Sequence, residues 1–324
     1  MKIFITGITG FVGSSLAQHL AGMGYDVTGM GRQQSLPSHI NRACKYIRGD
    51  IRQPLPAIEA DVVIHAAALA SDTAAYKDLY LTNVEGTRHV LHAASQSASF
   101  IYISSSSVYS FSNPVVIESE GGQDLNHLSG YGKTKFLAEE LVRDNTSIPS
   151  KYILRPRAIY GVYDKVLLPR LLKLVRGKQL LVPAHLAQHI SLTHINNLVD
   201  IIIGTMLHNK TEMTATYNIA DGKIYNLVEV LPALLSSVTG KRLEMKKIPT
   251  WLWEGAVAAN EKLGWPSSLN RFSADSLTKS AVLNLEAATK DLSYQPHYTF
   301  EDSCKEIARW VTTQGGWKNY MKQI

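Results

Sequence analysis

Short apolar runs alternate with helical patterns through the first half of the chain. The runs are KIFI (2–5), DVTGM (26–30), CKYIRG (44–49), DVVIHA (61–66), SFIYIS (99–104) and KYILR (151–155). Each has strand length, and the stretches between them carry apolar residues at helical spacing near 11–23, 76–97 and 131–144. In the second stretch, Val84, Thr87, Val90, Leu91 and Ala94 fall on one face. Strands alternating with helices predict an α/β fold, a doubly wound parallel sheet with helices on both sides.

Beyond LRPRAIYGVYD (154–164) the order becomes less regular. The pattern predicts a basic amphipathic helix over 165–178, extended stretches near 180–182 and 190–194, a helix over 196–208 and a strand at ATYNIA (215–220). The remainder reads as mostly helical and is richer in tryptophan, without repeats or a long linker. Two units are expected: 1–164 with about 190–220, and a smaller, mostly helical C-terminal unit from about 165–189 with 221–324.

Composition narrows the class. With 324 residues, 45% hydrophobic and 19% charged, the chain is an ordinary globular one. Its net charge of +6 suits anionic small molecules, but the cations are scattered, without the runs of a nucleic-acid arm. Cys44 and Cys304 form no CxxC, so a reducing compartment and no metal are expected. MKIFITGITGFVG enters a strand at once and no apolar run approaches the ~18 residues of a membrane span, so a cytoplasmic location is the default.

FITGITGFVGSSLAQHL (4–20) sets Gly7, Gly10 and Gly13 between a strand and a helix. Such glycines serve a tight turn, close approach of backbone to a pyrophosphate, and close helix–strand packing. The helix N-terminus then offers free N–H groups and the positive end of its dipole to the phosphates. In this context the loop reads as dinucleotide-binding.

The GxxGxxG spacing resembles that of the short-chain dehydrogenase/reductase superfamily, in particular its extended branch of epimerases, dehydratases and hydroxysteroid-type dehydrogenases. LRPRAIYG (154–161), SLTHINNLVDIII (191–203), YNIADGKIYNLVEVLPALL (217–235) and DLSYQPHYTFEDSCKEIARWV (291–311) extend the resemblance over nearly the whole chain, closest to the 3β-hydroxysteroid dehydrogenase-like group. It implies a Rossmann-type NAD(P)-binding domain and a smaller substrate domain. It also implies cofactor contacts from Phe11 and Val12 of the glycine loop, from Asp50 and Ile51 in RGDIRQP, from Ala66 and Ala67 in HAAA, and from Pro156. His65 is then a structural residue. An acidic residue after the second strand would select NAD; here Gly31 and Arg32 stand there and favour NADP, with NAD remaining open.

The same resemblance implies a Ser–Tyr–Lys catalytic group. YISSSSVYS (102–110) ends in a Val108–Tyr109 pair, and counting back four residues selects Ser105; Ser104 and Ser106 stay open, because the count is the only discriminator. Tyr131 and Lys135 in SGYGKTKFLAEE (129–140) are four apart, one turn of helix. An ammonium near the phenol favours its phenolate, which makes Tyr131 a proton acceptor or donor, while Lys135 also binds the nicotinamide ribose. Asn83 matches a supporting asparagine of the family, or is a helix N-cap.

Other features weigh less. His185 and His189 sit at i, i+4, but the glutamate of HExxH is absent. WLWEGAVAANEKLGW (251–265) reads as a pocket wall or core helix rather than a membrane-surface helix. Arg157, Arg170, Lys173 and Arg176 could meet a diphosphate or be solvated. The expected function is NAD(P)-dependent hydride transfer between nicotinamide and an alcohol or ketone. The alternatives are a UDP- or dTDP-sugar epimerase, dehydratase or reductase, and a non-catalytic NAD(P)-sensing protein. A small-molecule substrate and, by resemblance, a homodimer through the helices bearing residues 84–97 and 131–144 complete the expectation, with Leu137 and Leu141 suited to the contact.

Overall fold

Strands buried on both faces pack as parallel neighbours beneath helices. In a computed structural model, which describes residues 1–40, 44–71, 73–208, 212–263 and 271–324, seven such strands form one sheet. Their spatial order is Thr214–Ile219, Ser150–Pro156, Ser99–Ile103, Val62–His65, Lys2–Thr6, Asp26–Gly31 and Lys45–Arg48, all parallel. This is the Rossmann-type doubly wound sheet expected. Central strands such as Ser150–Pro156 are buried throughout, whereas the edge strand Lys45–Arg48 is largely exposed. The strand order reverses at Lys2–Thr6, which opens a crevice at the carboxyl ends there.

Two cores sandwich the sheet. On one side Leu16 and Leu20 of the Phe11–Gly22 helix meet Leu198 and Ile202 of the Ile195–Met206 helix. On the other, Val90 and Leu91 meet Ala138 and Val142 of the Gly130–Asp144 helix. A separate core of Leu168, Leu180, Leu231, Leu235 and Ile307 lies among the later segments. Asn197 clamps the later chain: its amide donates to Asp221 and the Tyr298 carbonyl, and its oxygen accepts from the backbone N–H groups of His297 and Tyr298.

Three expected elements differ. The helix over 76–97 is divided into Tyr76–Tyr80, a wide π-turn Leu81–Glu85, and Gly86–Ala93. Thr87 Oγ1 donates to the Asn83 carbonyl at 2.6 Å, supplying a donor within the widened turn. The helix over 165–178 shrinks to Leu167–Leu172. Asp164 accepts from the N–H groups of Val166, Leu167 and Leu168, which delays the helix start. Gly177, at φ +65°, then turns Val175–Arg176 back on Gln179–Pro183. Finally, EMKKI (Glu244–Ile248) is a strand parallel to Gln179–Pro183, hidden in the sequence by its polar, exposed edge character.

One polar cluster threads the core. Arg155 and Glu139 are 1% and 0% exposed. Arg155 donates from Nε and Nη2 to the two Glu139 oxygens at 2.9 and 2.6 Å, and from Nη1 to Tyr109 Oη and the Glu118 carbonyl. Tyr109 donates onward to Asn218, and Ser104 donates to Glu139 at 2.5 Å. Burial alone would push the Glu139 carboxyl up, but the Arg155 guanidinium outweighs it and the net shift is down.

Removing one partner of so buried a pair strands the other charge. Arg155→Met is expected to cost about 3–5 kcal/mol in urea unfolding at pH 7, and the double variant with Glu139→Gln to recover much of that loss. Because the folded Glu139 pKa lies below its ordinary value, the pair's contribution holds above pH ~4.5 and fades as pH falls through the folded value. Additive losses in the double variant would contradict the coupling.

Candidate active site

The Lys2–Thr6 strand runs directly into the glycine turn. Gly7 has φ +72°, and a Cβ there would meet Ala67 Cα and N at 2.7 Å. A Cβ on Gly13 would meet the Gly7 carbonyl oxygen at 2.2 Å, so only hydrogen lets this helix start so close to the strand. The Phe11–Gly22 helix has no side-chain cap and no acidic residue in its first turn. Its N-terminus is a bare array of backbone donors at the crevice, a cradle that fits a pyrophosphate.

Across the crevice, Ser99–Ile103 ends in the serine run, whose hydroxyls separate in space. Ser104 is committed to Glu139 beneath the site. Ser105 caps the single turn Ser106–Val108, accepting from Ser107 N–H at 3.1 Å and donating to Ser107 Oγ at 3.0 Å. Ser106 is buried, while Ser105 and Ser107 are half-buried at the cavity wall.

The Gly130–Asp144 helix is capped by Ser129, whose hydroxyl accepts from Gly132 N–H. A Cβ on Gly132 would lie 2.1 Å from the Ser107 carbonyl oxygen. This glycine brings the helix against the serine turn, a role its sequence context did not signal. Tyr131 lines the cavity, and Lys135 one turn later is 1% exposed. Lys135 Nζ donates to the Ile103 carbonyl at 2.7 Å and lies 4.1 Å from the Tyr102 ring centroid. Burial pulls its pKa down to about 7, although the nearby Glu139 charge acts the other way.

Supporting residues surround this group. Asn83 is no N-cap: Oδ1 accepts from Leu69 N–H at 2.7 Å, and Nδ2 donates to the Leu69 carbonyl and to Thr134 Oγ1. It ties the loop after the fourth strand to the Tyr131 helix. His65 is fully buried between Thr6 and Thr87, and burial lowers its pKa to about 3. His185 and His189 lie in a loop and not on a helix, so their i, i+4 face does not exist. Trp253, on the Thr250–Leu263 helix, lines the cavity; Gly264 and Trp265 of that stretch lie outside the described residues.

One cavity of about 1180 Å³ gathers Gly7, Gly10, Phe11, Val12, Gly13, Ala66, Ser105, Tyr131, Lys135 and Pro156 on its wall. Ala67 lies beneath Gly7, and Ile51 packs under Gly86. Arg32 and Asp50 follow the ends of the second and third strands, which the Gly49 N–H to Gly31 carbonyl bond joins at 2.9 Å. Arg32 is exposed, and both Asp50 oxygens are held by Arg52. The cavity also takes in Phe111, Arg157, Leu171, Leu231 and Trp253, most of them silent in the sequence because the later core brings them together. Among the described residues, no helix is long and apolar enough to cross a membrane.

A family model described as the NAD dependent epimerase/dehydratase family matches residues 3–220. A 2-alkyl-3-oxoalkanoate reductase of Stenotrophomonas maltophilia is 28% identical, with 95% of this chain and 98% of the relative covered. A 3 beta-hydroxysteroid dehydrogenase/Delta 5-->4-isomerase of Mycobacterium tuberculosis is 26% identical over 94% of this chain and 89% of its own. Among solved structures, UDP-glucuronic acid 4-epimerase from Bacillus cereus in complex with NAD superposes with a TM-score of 0.74 at 22% identity, covering 98% of both chains. That likeness shows the shared fold.

The buried lysine has a thermodynamic signature. Between its folded pKa of about 7 and its ordinary 10.5, the unfolded chain binds a proton that the folded chain does not, so this group's contribution to stability rises with pH across that window. Its cost is full below pH 7. Lys135→Met is therefore expected to stabilise the ligand-free protein at pH 6 by about 2 kcal/mol after loss of the Ile103 bond, read as a higher melting temperature, and to give little gain at pH 10. Thermal melts at both pH values check this; a loss at pH 6 would contradict it.

Proposed function

The chain belongs to the NAD dependent epimerase/dehydratase family, and on that premise we propose that it is an NAD(P)-dependent oxidoreductase moving hydride between nicotinamide and an alcohol or ketone carbon. The observation that carries the reading is the buried Lys135 ammonium one helical turn from Tyr131 at the wall of the glycine-loop cavity. The backbone around Gly7, Gly10 and Gly13, with the N–H groups of Phe11 and Val12, would hold the pyrophosphate. Lys135 and Pro156 would face the nicotinamide ribose and ring. The cofactor supplies or accepts the hydride.

The protein's own residues handle the oxygen and its proton. Ser105 Oγ, turning its proton away from Ser107 Oγ, gives a hydrogen bond to the substrate oxygen. Tyr131 takes the hydroxyl proton during oxidation, or returns it to a carbonyl during reduction. Lys135, held by the Ile103 carbonyl, stabilises the Tyr131 phenolate. Asn83 keeps this helix in place through Thr134.

For the cofactor, NADP is the preferred reading and NAD the other. Arg32 has no ion-pair partner among the described residues, and Thr9 Oγ1 lies 2.9 Å from where a Cβ on Gly31 would sit, so the strand end carries no carboxylate to repel a 2′-phosphate. Asp50, engaged by Arg52, would reach adenine only through a rearrangement of that pair. Ile51 and Ala67 would act by packing.

A sugar-nucleotide epimerase is the second reading, favoured by Arg170, Lys173 and Arg176 on the same cavity. The apolar lining from Leu171, Leu231 and Trp253 favours the first. A homodimer through the Gly86–Ala93 and Gly130–Asp144 helices belongs to the same proposal, with Leu137 and Leu141 half-buried there.

Calorimetric titration with NADPH, NADH and UDP-sugars checks the reading. The expected outcome is nicotinamide binding, tighter for NADPH, without a UDP-sugar signal; Arg32→Glu should weaken NADPH binding about tenfold or more. Tyr131→Phe should lower turnover roughly 10²–10⁴-fold while leaving cofactor affinity within a few-fold. Failure to bind any nicotinamide would sink the catalytic account, and a UDP-sugar signal would promote the epimerase.

A further inference from the structure

The cations are scattered along the sequence, yet folding gathers many of them on one small sheet. Its strands run in the order Glu244–Ile248, Gln179–Pro183, Val175–Arg176, so the two edges lie about 10 Å apart. Lys173, Arg176 and Lys178 stand on or beside one edge. Lys241, Arg242, Lys246 and Lys247 stand on or just before the other. All seven are exposed, and among the described residues none is in an ion pair. Within 173–183 and 241–248 only Glu244 opposes them, a surplus as large as the whole chain's net charge of +6.

The Thr250–Leu263 helix leaves this sheet directly after Ile248 and Pro249. Its inner stripe, Trp253 and Val257, packs with Leu174, Ile248 and Ala274. Ile248 and Lys246 are two apart on one strand and share a face, so the lysine lies on the side where the helix packs. The outer stripe faces solvent. Trp251 and Leu252 are 76% and 48% exposed, and Trp251 is the most exposed large apolar side chain among the described residues. Gly255, Ala256, Ala258 and Ala259 continue the exposed surface without a charge. Glu254 is half-buried and pairs with Arg271.

We propose that this patch docks the protein on an anionic phospholipid bilayer, with Trp251 and Leu252 entering the boundary between headgroups and acyl chains. The cations of the two sheet edges then lie over lipid phosphates. Tryptophan is at home at that boundary, its ring body in the apolar layer and its N–H toward water. Each cation near an anionic surface adds attraction, which salt screens. A projecting apolar prong in a cationic surround is what an interfacial helix needs. The charge also selects the occupant, because a second copy of this chain docked face to face would bring like charges together. Trp253, less than one turn along the same helix, lines the cavity, so docking sets part of the apolar cavity wall next to the lipid surface. Docking is independent of the chemistry at Tyr131.

Flotation of the protein with vesicles of phosphatidylcholine, with and without about 30% phosphatidylglycerol, tests this. Binding to the anionic vesicles is expected to be about tenfold or more tighter, and to be lost in about 0.5 M salt. Trp251→Ala should weaken it about tenfold while Trp251→Phe keeps most of it. Lys246→Glu with Lys247→Glu should weaken it by about tenfold or more and erase most of the lipid preference. These positions are exposed, so unchanged melting temperatures check that the variants fold. No flotation with the anionic vesicles overturns the proposal, as does flotation that neither variant weakens. Self-association in sedimentation without lipid, lost in Trp251→Ala, assigns the prong to a second copy and overturns it. Capture of poly-glutamate without vesicle binding, weakened by the lysine variant, assigns the patch to an acidic protein and overturns it as well.

Discussion

The Arg155–Glu139 pair sets the orientation on which the site depends. Glu139 lies one turn beyond Lys135 and two beyond Tyr131 on the same helix, so the three share a face. Arg155 comes from the neighbouring strand, and its two-bond grip on Glu139 fixes the rotation of that helix about its axis. The same pair draws in Ser104, Tyr109 and, through Tyr109, Asn218. Two ions this dry hold together only because their remaining donors and acceptors are filled. The geometry of Ser105, Tyr131 and Lys135 is thus built on a satisfied polar cluster one layer below.

Two close backbone approaches complete the framework. Gly13 lets the first helix start against the Gly7 carbonyl, and Gly132 lets the Tyr131 helix rest on the Ser107 carbonyl. The first exposes helix-terminal N–H groups at the point where strand order reverses. The second sets the phenol at the end of the serine strand. Lys135 is desolvated in the same step, which depresses its pKa and makes the ligand-free site a locally unfavourable place for a cation. Charge is held there by the pull of the Ile103 carbonyl, the Tyr102 ring and Glu139.

The cavity divides its chemistry between two parts of the chain. Its polar floor comes from the sheet ends and the glycine loop; its apolar wall comes from the later helices and the strand Gln179–Pro183. Arg157 stands at the seam, a cation on the floor side packed against Phe111. Such a division suits a substrate with a reactive polar end and an apolar body.

Local pattern was enough to determine the alternating strands and helices and the glycine cradle, because periodicity and residue spacing act within one or two turns of chain, whereas the candidate group Ser105, Tyr131 and Lys135 came from the family resemblance of its motifs. The resemblance also pointed to a structural His65, which the structure buries between Thr6 and Thr87. Tertiary structure alone engaged the Ser104 hydroxyl, which donates to a glutamate 35 residues away, while the cavity wall still carries all four serines of the run. It shortened the helix after Asp164, broke the helix around Asn83, and paired the polar strand Glu244–Ile248, all through contacts that propensity does not encode. It also left Arg157 Nε buried without a hydrogen-bond partner among the described residues, which an arginine after a proline does not announce in the sequence.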